Sequence, residues 1–411
     1  MKRRDFIRKT TLVTSATVLS MNSISAMSGF RSAQLSNSQT PVANFPQVRI
    51  PEPERKFKSQ AVEKTIQEVR KNIKNEELGW LFENCFPNTL DTTVEFEMRN
   101  GKPDTYVITG DIDAMWLRDS TAQVTPYLSL TKQDPDLQKL IHGVINRQVR
   151  CILKDPYANA FYKDDTKVGE WKDDLTDMKP GIHERKWEID SLCYPIRLGH
   201  LYWKTTGDTA PFDAQWKESI ALIVKTFRDQ QRKTGNGPYK FERRTSWATD
   251  GVPLGGYGYP AKPVGMIFSM FRPSDDATIY PLFVPANFFA VVSLQQAAEM
   301  LTKIHKDATL AAECTKLANE VRTALQQHGL LQHPQFGKLY AYEVNGYGST
   351  NLMDDANVPS LLGLPYLGAV PANDPVYLNT RKYLLSANNP FFFKGKAGEG
   401  IGGPHVGVDM I

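Results

Sequence analysis

The sequence predicts an all-α fold, a toroid of paired helices whose connecting loops gather over one mouth. Three observations predict it. Apolar residues recur at helical spacing along most of the chain. Two long helical stretches are separated by only Lys306-Asp307-Ala308, which makes them an antiparallel hairpin. Long loops rich in Gly, Pro, aromatic and acidic residues divide the helices, and connections of that length are usually functional. There is no βαβ alternation and no glycine-rich phosphate loop.

The first 26 residues stand apart. Arg3-Arg4-Asp5-Phe6-Ile7 is a twin-arginine pattern, followed by a mildly apolar Thr- and Ser-rich run and small residues at Ser23 to Ala26. That order of charged, apolar and small-residue regions is an export signal, removed in the mature protein. It also accounts for the charge. Lys2, Arg3, Arg4, Arg8 and Lys9 against Asp5 give +4, which is the whole formal net charge of the chain. The remainder is neutral, so nothing favours a nucleic-acid partner. No later stretch has the roughly 18 apolar residues that span a bilayer, so a soluble periplasmic or secreted protein is expected, with no membrane partner after signal removal. Residues 27–53, rich in Ser, Asn, Gln and Pro, are expected to be a flexible entry segment, and 54–411 the folded domain.

Within that domain, Val62, Ile66, Val69 and Ile73 mark a first helix, and Leu137 to Ile152 a longer one. Further helices are predicted over Ser191–Thr205, closed by Thr206-Gly207-Asp208, and over Ala214–Arg232, Val284–His305, Thr309–Gln327 and Val376–Leu385. The loops between them span 155–189, 235–283, 340–375 and 388–405. Cys85, Cys151, Cys193 and Cys314 form no CxxC pair, which excludes metal-ribbon and haem-attachment motifs and leaves disulfides and free thiols both open.

Five loops carry chemistry. Asp111, Asp113, Arg118 and Asp119 surround Trp116, a mixture too polar for core and too aromatic for plain surface. Carboxylates, a guanidinium and an indole together suit a polyhydroxylated ring. The second loop, Glu184 to Cys193, contains Trp187, Glu188 and Asp190; the third holds Arg272, Asp275 and Asp276; the fourth Asp354, Asp355 and Asn357; the fifth Glu399 and His405. Structural roles compete at several of these. Asp190 could cap the helix it precedes, Asp119 and Ser274 to Asp276 could do the same, Trp187 could be core, Asp354-Asp355 a solvated turn and His405 a structural residue. Glu399 sits between glycines, where a backbone can approach a ligand and present one carboxylate. Glycoside hydrolysis needs a protonated and an ionised carboxyl. The apolar neighbours of Asp190 favour the first state and the glycine loop of Glu399 the second.

The motifs GDIDAMWLRDSTAQV, EIDSLCYPIRL, FRPSDDA, DDANVPSLLGLPYL and EGIGGPH resemble, in order, those of glycoside hydrolase family 125, the exo-acting α-1,6-mannosidases. The resemblance runs from about residue 57 to the C-terminus. It implies an (α/α)6 barrel and an inverting mechanism without metal or other cofactor. The substrate implied is a mannose-terminated oligosaccharide or N-glycan. It places the general acid on Asp190 and the general base on Glu399. Asp111, Asp113, Trp116, Arg118, Asp119, Trp187, Arg272, Asp275, Asp276, Asn357 and His405 fall at or behind the terminal-sugar subsite. Members of the family continue past EGIGGPH with a further helix, so a barrel ending at Ile411 is expected to lack its closing helix, as a truncated part of a longer protein. The competing expectation is a periplasmic helical glycan-binding protein without catalysis, which needs an aromatic platform but no opposed carboxyls.

Overall fold

The computed structural model describes residues 45–408 and 410; the leader predicted over 1–26 and most of the 27–53 segment lie outside them. The described end of that segment is anchored. Arg49 bridges Asp91 and Glu63 at 2.6 and 2.5 Å, and Phe45 stacks on Trp80 at 5.3 Å.

Helix α1 (Gln60–Asn72) starts where the Ser59 hydroxyl accepts the Val62 N–H, and it buries Ala61, Val62 and Ile66. Helix α2 (Glu76–Cys85), not foreseen, is capped by Asn75 in the same way. After a hairpin come α3 (Leu117–Val124) and α4 (Pro135–Lys154), the latter with Asp134 as N-cap and Pro135 at its first position. Helix α5 (Ile189–Thr206) ends at Gly207, whose φ of 75° is the left-handed stop that glycine supplies cheaply. Helices α6 (Ala214–Asp229), α7 (Val284–Met300), α8 (Ala308–His328) and α9 (Pro375–Leu384) follow. The predicted hairpin is present: α7 runs on through a π turn to His305, Lys306 takes a φ of 56°, and α8 packs back along α7. Helix α7 is apolar nearly all round and buried accordingly. Its one deeply placed amide, Asn287, is satisfied by the backbone of Ile267 and Phe283.

The expectation of an all-α chain needs correcting: helices dominate, but small antiparallel sheets sit at their ends. Strands Val94–Arg99 and Lys102–Val107 form a hairpin turning at Asn100-Gly101, both with positive φ. It seats on α4 where Gly143 leaves room for Thr105. Met115–Trp116, Ala160–Phe161 and Ile182–Glu184 make one three-stranded sheet; Leu282–Phe283, Glu343–Val344 and Thr350–Asn351 make another. Most of these strands have two or three residues, too few for an alternating pattern to show in sequence. They give the long loops a rigid backbone and aim Trp116, Glu184 and Glu343 inward. All four cysteines are free thiols, Cys85 exposed and the other three buried.

Candidate active site

Arg118 is the hub. It leaves the first turn of α3 and places Nη1 2.6 Å from Glu188 and 3.2 Å from Asp190; Nε lies 3.4 Å from Asp119 and Nη2 3.7 Å from Asp275. The side chains of Glu188 and Asp190 are wholly buried. Glu188, Asp190 and Asp275 crowd one guanidinium, an arrangement that disfavours ionising all three carboxyls together. Burial drives the Glu188 carboxyl well above the usual range and raises those of Asp190 and Asp275, against the pull of Arg118 and, at Asp275, of Lys186.

The two innermost carboxyls each give one oxygen to Arg118 and leave the other, Glu188 Oε1 and Asp190 Oδ1, buried without a hydrogen-bond partner; they differ in what else the bound oxygen meets. Glu188 Oε2 accepts from both Arg118 and the Ser191 hydroxyl. Asp190 gives Oδ2 to Arg118, while its buried Oδ1 has no hydrogen-bond partner in the protein. Asp190 is therefore not a helix cap. The helix begins one residue before it, and the carboxyl hydrogen-bonds Arg118.

Behind this hub lies a satisfied ion network. Lys186 contacts Asp250 at 2.6 Å, Glu184 at 3.4 Å and the Asp275 carbonyl at 3.1 Å, and Arg243 holds Glu184, Asp250 and Asp174. The charges of Lys186 and Arg243 pull Glu184 down to about 2 despite its burial.

Residues 271–277 form a tight turn rather than a helix start, closed by Arg272 N–H to the Asp276 carbonyl, with Asp275 at a φ of 69°. Arg272 reaches Glu343 through Nε at 2.7 Å and leaves Nη2 without a partner. Asp276 meets His405 at 3.1 Å, and Gly403 lies so close to Asp355 that a Cβ there would stand 3.1 Å from the carboxyl. Asp355 Oδ2, Asp276 Oδ2 and the buried Trp116 indole N–H also lack protein partners. Buried polar atoms are normally satisfied, so this concentration marks a place shaped for a polar ligand.

Several predicted residues make no ion pair or hydrogen bond with the Arg118 cluster. Trp187 is core: 1% exposed, it donates its indole N–H to the Phe268 carbonyl and packs against Tyr157. Asp111 is exposed, and Asp113 pairs with Lys167 at the surface. Asn357 is exposed and folds back on Asp355. Glu399 opens the last strand, Glu399–Ile401, of a hairpin with Phe392–Lys394. It is half exposed and pairs with Lys394 at 2.9 Å. The strand runs directly into Gly403 and His405. Glu188 and Asp355 are the residues that sequence reasoning passed over. Glu188 lies two positions from Asp190, and Asp355 resembled a solvated turn. Asp354 beside it is structural, its carboxyl accepting the Leu361 and Leu362 N–H groups and pushed up to about 7 by burial.

Comparison with known proteins identifies the family. The family described as metal-independent alpha-mannosidase (GH125) matches residues 75–411. A solved structure of a Streptococcus pneumoniae metal-independent α-mannosidase, in a non-productive complex with α-1,6-mannobiose, is 39% identical. It covers 85% of this chain and 82% of its own, with a TM-score of 0.81. The meiotically up-regulated gene 157 protein of Schizosaccharomyces pombe is 43% identical over 375 residues, which are 87% of this chain and 74% of that protein. The chain belongs to the metal-independent α-mannosidases of family GH125 and is a glycoside hydrolase.

Proposed function

We propose that the protein is an exo-acting, inverting α-1,6-mannosidase that releases terminal mannose from glycans, with Asp190 as general acid and Glu399 as general base. One observation supports the reading: Asp190 is a buried carboxyl, raised by burial, with one oxygen fixed by Arg118 and the other uncommitted, whereas Glu188, which also leaves one oxygen unpartnered, is held by the Ser191 hydroxyl as well. A proton on Oδ1 has no acceptor in the protein and is available to a glycosidic oxygen. Glu399, exposed on its hairpin, suits the ionised partner. In the reaction Asp190 donates its proton as the C1–O bond breaks. Glu399 takes a proton from the water whose oxygen attacks C1 on the opposite face. Inversion requires the two carboxyls about 6.5–9.5 Å apart with substrate bound, leaving room for that water. The unpartnered groups of Trp116, Arg272, Asp276 and Asp355 would meet the hydroxyls of the terminal sugar. The α-1,6-mannobiose bound by the pneumococcal relative supports the linkage. The same relationship supports closure of the helices into an (α/α)6 barrel.

The test is NMR of the first product released from α-1,6-mannobiose. β-Mannose is expected, and initial α-mannose refutes inversion. Asp190→Asn abolishes hydrolysis of mannobiose but retains part of the activity on a dinitrophenyl mannoside, whose leaving group needs no proton. Glu399→Gln loses both. Near-normal turnover of mannobiose by either variant refutes the assignment. The twin-arginine leader adds a proposal of export to the periplasm or beyond. Fractionation of cells expressing Arg3→Lys/Arg4→Lys, which should retain the protein inside, tests it.

A further inference from the structure

Four arginines are buried as whole residues among those described: Arg147, Arg185, Arg232 and Arg272. Three have a carboxylate. Arg147 holds Asp104, Arg185 holds Asp155 at 2.9 Å, and Arg272 holds Glu343 at 2.7 Å. Arg232 forms no ion pair. Its Nη1 donates to the Tyr257 carbonyl at 2.8 Å, its Nε to Gln230 at 3.3 Å, its Nη2 to the Met270 sulfur at 3.3 Å, and the group lies over the Phe268 ring at 4.8 Å. These partners are all neutral. A guanidinium has five N–H groups, so two remain uncommitted. Burial without a counter-charge lowers Arg232 only to about 10, which leaves it cationic at neutral pH. Leaving a buried charge unpaired is strongly unfavourable. The backbone adds to this, since Arg232 has a φ of 52°, a region that long side chains seldom occupy.

Arg232 lines a pocket of about 500 Å³ together with Lys233, Asn236, Tyr257 and Tyr259. The Lys233 ammonium is taken by Glu320. The residues that line the pocket thus include one arginine without a counter-charge and two tyrosines. A planar fork of N–H donors matches a tetrahedral oxyanion, and tyrosine faces suit a sugar ring. We propose that this pocket, separate from the cleavage site, binds a phosphate-class oxyanion on Arg232, either free phosphate or the phosphate of a phosphorylated sugar.

The test is calorimetric titration of the full chain, at constant ionic strength, with inorganic phosphate, mannose 6-phosphate and mannose. It requires no turnover, so it stands or falls independently of the mannosidase reading. Saturable binding of at least one phosphate, with Kd of about 1 mM or tighter and no binding of mannose at this site, is expected. Tighter binding of mannose 6-phosphate identifies the sugar phosphate as ligand, and equal binding identifies free phosphate. Arg232→Gln should weaken binding by about tenfold or more. Asn236→Asp sets a negative charge at the exposed rim without touching the contacts of Arg232, and should do the same if Arg232→Gln does not fold. Absence of phosphate binding, or wild-type affinity in the folded variants, overturns the proposal.

Discussion

Replacing Arg118 with Met removes the only cation among the described residues within 4 Å of Glu188 and Asp190 while keeping most of the side-chain volume. Both carboxyls are fully buried, so the variant must either leave them charged and unpaired or keep them protonated. An unpaired buried charge costs about 3–5 kcal/mol. Keeping a proton costs about 1.4 kcal/mol per pH unit above an unfolded pKa of about 4, hence about 1.4 kcal/mol for one group at pH 5 and about 5.6 at pH 8. The cheaper route prevails at each pH. The sign follows from the direction of the shifts. Glu188 and Asp190 are raised in the folded state, which therefore binds more protons than the unfolded state, and stability falls as pH rises from about 4 towards the folded pKa. Arg118 restrains that rise, and its removal extends the window upward. Urea unfolding of Arg118→Met and wild type should thus differ by about 1–2 kcal/mol near pH 5 and by about 3–5 kcal/mol near pH 8. A pH-independent difference, or one below about 1 kcal/mol at pH 8, refutes a charge cluster organised by Arg118.

Asp354, pushed up to about 7, should make the wild type lose stability between pH 4 and 7. Asp354→Asn keeps one acceptor for the Leu361 N–H and should remove a slope of up to about 1.4 kcal/mol per pH unit from urea midpoints measured across that range. Gly143→Ala sets a Cβ 2.9 Å from the Thr105 backbone nitrogen and against its hydroxyl, which should cost about 1–3 kcal/mol in thermal or urea unfolding by lifting the hairpin from α4. An unchanged melting temperature would show that the hairpin moves freely there.

The helices were legible because their signal is local. Apolar residues at i, i+3 and i+4 identify a buried face without knowledge of what covers it, and Ser59, Asp134 and Gly207 punctuate the ends. The hairpin at 94–107 was also within reach, since Asn100-Gly101 between alternating residues is a strong turn signal. The two-residue strands were not, because their pairing joins segments as distant as Leu282 and Val344.

At the site, sequence alone determined which loops carry chemistry, and the order of five motifs determined the family. The sorting within each loop belonged to the tertiary structure. Trp187 and Trp116 look alike in sequence, yet one has its indole satisfied by Phe268 in the core and the other, packed on His183, leaves its indole N–H without a protein partner. Asp190 and Asp113 are both loop aspartates, yet one lies buried against Arg118, 72 residues away, and the other pairs with Lys167 at the surface. Residue type fixes what a side chain can donate or accept. Its protonation state and its freedom to act depend on burial and on neighbours brought from distant segments, and those exist only once the chain has folded.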